Sequence, residues 1–166
     1  MKILHVGFYD NLGGAAKAMM RIHNSLSKLE DVESKILVIS KFSNDESVFK
    51  INNFIFKLFY KLFNQLKKTL FYSGKVYVSF NHFNTKFILK EINESDFDIV
   101  NLHWIGGEMI SIDEIMMINK NIVWTFHDMW PFLGIHHYEQ YKYNLLNKSI
   151  EKYFLSKKNI LSKKKN

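Results

Sequence analysis

The single proline of the chain, Pro131, lies within a run, Asn121 to Tyr138 (NIVWTFHDMWPFLGIHHY), that passes from apolar to sharply polar within a few residues. Ile122-Val123-Trp124 is the uninterrupted β-branched and aromatic stretch that a strand buried on both faces displays. Ile122 to Phe126 is therefore expected as a central parallel strand that delivers His127 and Asp128 at its carboxyl end. In open α/β sheets, ligands bind beyond that end. Phe126, Trp130 and Phe132 crowd the same loop, whereas ordinary loops are polar and built from turn formers. Aromatic walls around a few polar groups suit a small-molecule pocket; the competing reading is that His127-Asp128 only caps the loop.

The rest of the chain alternates strand with helix. Lys2 to Phe8 (KILHVGF) predicts a buried first strand, and a helix from near Ala15 keeps apolar spacing through Ala18, Ile22, Leu26 and Leu29. Between them, Gly13-Gly14 would let a ligand approach the backbone, and the helix start would offer unpaired N–H groups to an anion. The spacing is not that of a dinucleotide fingerprint, and a plain tight turn is the other reading. Ser34 to Ser40 predicts a second strand, followed by a polar loop from Lys41 to Ser47. Gly74 to Phe80 alternates as a strand, and Phe87 to Ile92 suggests a short helix. Phe97 to Trp104 (FDIVNLHW) is a further buried strand that ends in His103 and Trp104, before Gly106-Gly107. Ile112 to Ile118 predicts a helix with Ser111 as its N-cap. This alternation specifies an α/β fold, a Rossmann-like parallel sheet flanked by helices. Gly13-Gly14, His103 and His127 then meet on one edge of that sheet.

A chain of 166 residues has the size of one domain. It has no cysteine, which excludes disulfide frameworks and thiolate metal sites. No segment approaches the ~18 apolar residues of a membrane span, and MKILHVGFYD has the pattern of a strand rather than a cleaved leader, so a cytoplasmic location is expected. Of the net charge of +7, the stretch from Glu139 to Asn166 carries eight lysines against two glutamates. The expected organisation is thus a Rossmann-like domain over 1–140 and a basic helical tail over 141–166. Arg21 is the sole arginine, and arginine is the residue that most often reads bases; with the charge segregated as well, no nucleic-acid partner is expected. Phe54 to Tyr72 predicts an amphipathic helix with Lys57, Lys61 and Lys68 on one stripe. It belongs either to the core or, as a peripheral contact, to an anionic lipid surface at the inner membrane face.

Three blocks, MKILHVGFYDNLGGAAKAMMRIHNSL, DIVNLHWIGGEMISIDEIMMINKNIVWTFHDMWPF and Gly134 to Tyr138, resemble the N-terminal half of family 4 glycosyltransferases of the GT-B fold. The likeness is to the bacterial branch that builds colanic-acid-like and other surface polysaccharides. It implies transfer of a sugar, with retention, from a nucleotide-sugar donor to a glycan or lipid-linked acceptor, with no cofactor and no obligatory metal. The N-terminal domain would handle the acceptor, with the donor lying against a C-terminal domain. Gly13 and Gly14 match the family's glycine loop, which faces the donor phosphates and the acceptor. Thr125 to Asp128 match its Thr-x-His-Asp motif, which sets His127 beside the transferred sugar, with Asp128 orienting it or binding a second hydroxyl. His103, Trp104 and Trp130 are expected on the substrate side. The family's Gly-Gly-Cys-His-Tyr is here Gly134-Ile135-His136-His137-Tyr138, so no cysteine-held metal or cross-link carries over. The acidic E-x7-E element and the basic diphosphate ligands of the C-terminal domain have no counterpart in this sequence. The expectation is an acceptor-side domain, inactive without a C-terminal donor-binding partner. The alternative is a non-catalytic module that docks a partner transferase subunit.

Overall fold

The computed structural model describes residues 1–51, 58, 60–63, 65, 78–84, 86–133, 135–138, 152 and 156. Among these residues five strands, β1 (Lys2–Tyr9), β2 (Glu33–Ser40), β3 (Val48–Lys50), β4 (Ile99–Leu102) and β5 (Asn121–Trp124), and three helices, α1 (Gly13–Leu26), α2 (Phe87–Glu94) and α3 (Ile112–Met116), follow in the order β1-α1-β2-β3-α2-β4-α3-β5. All strand pairs are parallel, in the order β3-β2-β1-β4-β5. This is a Rossmann-like α/β sheet. Its order reverses at β1, between β2 and β4, the switch point at which such sheets open a crevice.

β1 sits in the middle because every residue from Ile3 to Phe8 is buried. Successive side chains on a strand face opposite ways, so β1 feeds two layers. Leu4, Val6 and Phe8 join Leu37, Ile39, Val100 and Leu102 in the larger cluster, which continues into Ile88 and Ile92 of α2 and Ile112 and Ile115 of α3. On the other face, Met19 of α1 packs with Ile36, Val38 and Val48. Fully burying one such aliphatic side chain contributes about 1.5–3 kcal/mol, and a one-residue slip of β1 would exchange the two layers.

Two expectations are corrected, and one strand was not expected. Ile122 to Phe126 is not a central strand: β5 is bonded to β4 alone among the described residues, and its burial alternates, with Val123 half exposed. The third strand, β3, falls just after the expected polar loop; only Val48 is buried while Phe49 and Lys50 are exposed, so no apolar run announces it. The strand expected over 74–80 fails where it can be seen. Val78 makes an isolated antiparallel bridge to His136 and Ser79 N–H reaches Ile135 O at 3.0 Å, but the pairing ends there: Phe80 N–H and Asn81 N–H are taken by the buried Glu108 carboxylate, at 2.8 and 2.7 Å.

The helix expected over 54–72 lies mostly outside the described residues. Of its described positions, Tyr60 and Phe63 pack against the larger cluster, while Leu58 and Leu62 are exposed. The tail expected over 141–166 lies outside them too, Lys152 and Ser156 excepted. Among the described residues no helix is long and apolar enough to cross a membrane.

The N-cap assigned to Ser111 is present in full. Ser111 Oγ accepts from Glu114 N–H at 3.0 Å, and the Glu114 carboxylate accepts from Ser111 N–H at 2.9 Å, the reciprocal capping box. Ser111→Ala should lower the unfolding free energy by about 1 kcal/mol, read as a shift in the urea midpoint; an unchanged midpoint would show that the cap contributes nothing.

Candidate functional site

A cavity of about 470 Å³ opens at the carboxyl ends of β1, β4 and β5, within the roughly 300–1,000 Å³ of small-molecule sites. Gly13, Gly14 and Ala15 form one wall, Phe8 and Tyr9 the floor of β1, and His103, Trp104, His127 and Asp128 the opposite side. Gly13 has φ +88°, a left-handed backbone that glycine adopts without strain. No side chain caps α1: Leu12 stands at its N-cap position, so the first N–H groups of the helix border the cavity unclaimed by a capping side chain.

Asp128 is held by three donors. Trp104 Nε1–H reaches Oδ2 at 2.8 Å, Trp130 N–H reaches Oδ1 at 2.9 Å, and His137 Nδ1 hydrogen-bonds Oδ2 as well. Burial would raise its pKa, but the His137 hydrogen bond and charge, with the Trp130 and Trp104 bonds, hold the carboxyl below its ordinary value. His137 passes the chain on, its Nε2 lying 2.8 Å from Ser79 Oγ, which also accepts from Gly107 N–H at 2.7 Å. Asp, His and Ser here have the connectivity of a hydrolytic triad. Ser79 is nonetheless fully buried and absent from the cavity wall, so no substrate carbonyl reaches its oxygen. A Cβ on Gly106 would lie 2.8 Å from His137 Cε1 and 2.9 Å from Ser79 Oγ; this cluster closes only over a glycine.

His127 belongs to a different network. His5 Nδ1 lies 3.0 Å from His103 Nε2, and His103 Nδ1 lies 2.9 Å from His127 Nε2. The row crosses from β1 past β4 to the loop after β5, and the planes of His103 and His127 lie 21° apart. Burial, then the neighbouring His23, pushes His5 down to about 4. Burial, then His5 and His127, pushes His103 down to about 3. His127 is lowered by burial, with Asp128 opposing. The three rings are joined nitrogen to nitrogen rather than converging on a point, and among the described residues no group of three or more His, Asp or Glu is placed to hold a metal.

Of the residues singled out in the sequence, Gly13, Gly14, His103, Trp104, His127 and Asp128 all line this one cavity. Trp130 does not: it is buried behind the wall, donating Nε1–H to Ser79 O at 2.8 Å and stacking on His137. Of the two roles expected of Asp128, orienting His127 has no hydrogen bond behind it, since the bonds of Asp128 run to Trp104, Trp130 and His137 and His127 is bonded to His103. His5 and His137 were not anticipated. His5 carried a signal, a polar residue inside an otherwise apolar buried strand, which must find a partner. His137 carried none beyond its place in the loop. No family model matches this chain, and no curated protein or solved structure is detectably similar to it.

The depressed histidines make stability pH-dependent with a definite sign. An unfolded imidazole titrates near 6.5 while His5 and His103 stay neutral to about 4 and about 3, so between these values the unfolded chain binds more protons. Stability is therefore full above about pH 6.5 and is lost as pH falls toward 4. The urea midpoint should drop between pH 7 and pH 5, and drop less in the double variant His5→Leu, His103→Leu. Equal drops in the two proteins would remove these rings from the account.

Proposed function

We propose that this chain is the acceptor-side domain of a retaining glycosyltransferase that moves a sugar from a nucleotide-sugar donor to a glycan or lipid-linked acceptor. The observation that carries the reading is the cavity at the switch point, in which the uncapped start of α1 behind Gly13-Gly14 faces His127 and Trp104. A helix start with free N–H groups suits a phosphate oxygen, an indole face suits the apolar side of a sugar ring, and a neutral imidazole hydrogen-bonds a hydroxyl. The resemblance of the glycine loop and the Thr-x-His-Asp motif to family 4 glycosyltransferases supports the same assignment. Catalysis then needs a second domain, because stabilising the departing diphosphate is the main electrostatic task and the basic ligands for it have no counterpart in this sequence.

Calorimetry on the purified chain should detect a nucleotide sugar or an acceptor glycan, without turnover. Once a C-terminal donor-binding half is supplied and transfer begins, His127→Ala should lower the rate by roughly 10²-fold with an unchanged melting temperature. Steady transfer by the chain alone, or full activity of the His127 variant, would sink the proposal. A docking module for a partner subunit is favoured by one observation: Phe126, Met129 and Phe132 stand exposed in the loop that carries His127 and Asp128. Binding of a partner half with no affinity for either sugar ligand would decide for that reading.

Exposed Leu58 and Leu62, with exposed Lys61 beside them, support a peripheral contact with anionic lipid, where each lysine near the surface contributes about 1 kcal/mol. Anionic vesicles should bind the chain at low salt and release it at high salt, and exchanging Lys57, Lys61 and Lys68 for Gln should weaken binding. A chain shortened to remove the lysine tail that ignores such vesicles would end this idea.

A further inference from the structure

The row His5–His103–His127 has an orientation that the positions of its ends determine. Each link joins two ring nitrogens at hydrogen-bonding distance, 3.0 and 2.9 Å, so in each link one nitrogen carries the hydrogen and the other offers its lone pair. A neutral imidazole has one of each. Choosing the direction of one link therefore sets the other. Two arrangements exist: hydrogens all pointing from β1 toward the cavity, or all pointing back.

The far end decides between them. His5 is fully buried and its Nε2 has no partner among the described residues. If the row pointed back, that nitrogen would carry an orphaned N–H. If the row points toward the cavity, Nε2 holds only an unused lone pair. Buried orphaned N–H groups are the rarer and costlier of the two defects. His5 Nδ1–H then donates to His103 Nε2, His103 Nδ1–H donates to His127 Nε2, and the one hydrogen left to His127 is on Nδ1.

We propose that His103 and His5 are positioning residues that lock His127 in its Nδ1–H tautomer, so that the cavity presents a fixed hydrogen-bond donor and takes its ligand there through an acceptor oxygen. His127 is thus a donor rather than a base. The low proton affinity of all three rings agrees with this, because a protonated ring anywhere in the row would erase its direction. The proposal requires that this cavity be the ligand site, as in the functional reading above, but not that the ligand be a nucleotide sugar.

The test reads the tautomer directly in the ligand-free chain, labelled with 15N-histidine, by long-range proton–nitrogen correlation, with His127 assigned through His127→Gln. The wild-type ring should show Nδ1 protonated and Nε2 bare. His103→Leu should release it into a mixture of tautomers while backbone amide spectra stay native, and His103→Asn, whose amide places a donor near the lost Nδ1, should restore the single form. If His103→Leu does not fold, His5→Leu serves as the second probe and should also mix the tautomers. Finding His127 protonated on Nε2 in the wild type, or an unchanged tautomer in a folded His103→Leu or His5→Leu protein, overturns the proposal. Methyl glucoside and inorganic phosphate, added separately, then identify the oxygen. A shift of Nδ1 with the first marks a sugar hydroxyl and with the second a phosphate oxygen; a ring indifferent to both overturns the ligand half of the proposal. Because the tautomer is measured without ligand, a wrong donor class and a wrong tautomer give different results.

Discussion

A largely buried carboxylate that two tryptophans hydrogen-bond organises the carboxyl edge of this sheet. An ionised group out of water is costly unless every lone pair it exposes is answered, and Asp128 is answered from three directions: by Trp104 beyond β4, by Trp130 in its own loop and by His137 on the segment that returns past it. Removing one donor would leave a largely buried charge imperfectly paired. The loops after β4 and β5 are therefore not independent connections. They share one ion, and Ser79 and Gly107 are drawn in behind His137, so the wall of the cavity behaves as one preorganised piece.

The opposite solution holds a few ångströms away. On the face of β1 that looks toward α1, burial is balanced by neutrality rather than by charge. His5 and His103 give up protonation to be buried, and His23 satisfies both of its nitrogens on Ser34 and Ser47 at 2.8 and 2.9 Å, tying α1 to β2 and the turn before β3. Polar groups buried in this way direct packing more than apolar ones, since each has few acceptable partners. One edge of a five-stranded sheet thus carries two kinds of polar network, ionic behind Trp104 and uncharged under Gly7 and Met19.

What could be read from the residues, and what could not, follows the range of the interactions. The β1 and β2 strands, the helix that begins at the glycines and the cap at Ser111 were plain because run length, periodicity and capping chemistry are local. β3 escaped because a three-residue strand with one buried side chain has no period to display. The 78–80 segment misled for the reverse reason: its alternation is that of a strand, but Glu108, held at φ +65° nearly thirty residues on, takes the backbone donors of Phe80 and Asn81. The centrality given to β5 rested on its apolar composition, yet Val123 and Phe126 leave their side chains exposed, and an apolar run does not by itself say which side of it is covered. The candidate site was legible as a set, because the carboxyl ends of parallel strands must lie together. Its wiring was not.

That wiring bears on how a His-Asp pair in a sequence should be understood. His127 and Asp128 lie in the bend after β5, where adjacency in the chain does not by itself bring two side chains into contact. Here His127 turns to the uncharged row and Asp128 to the ionic cluster. A carboxylate bonded to His127 would raise its proton affinity and make it a base, whereas a neutral imidazole in that position leaves its affinity low and its hydrogen placement governed by a residue on β1. The same two letters thus encode a cavity in which the acid braces the wall and the imidazole lines the open space, and the placement of the hydrogen on that imidazole is set by His5, more than a hundred residues earlier in the chain.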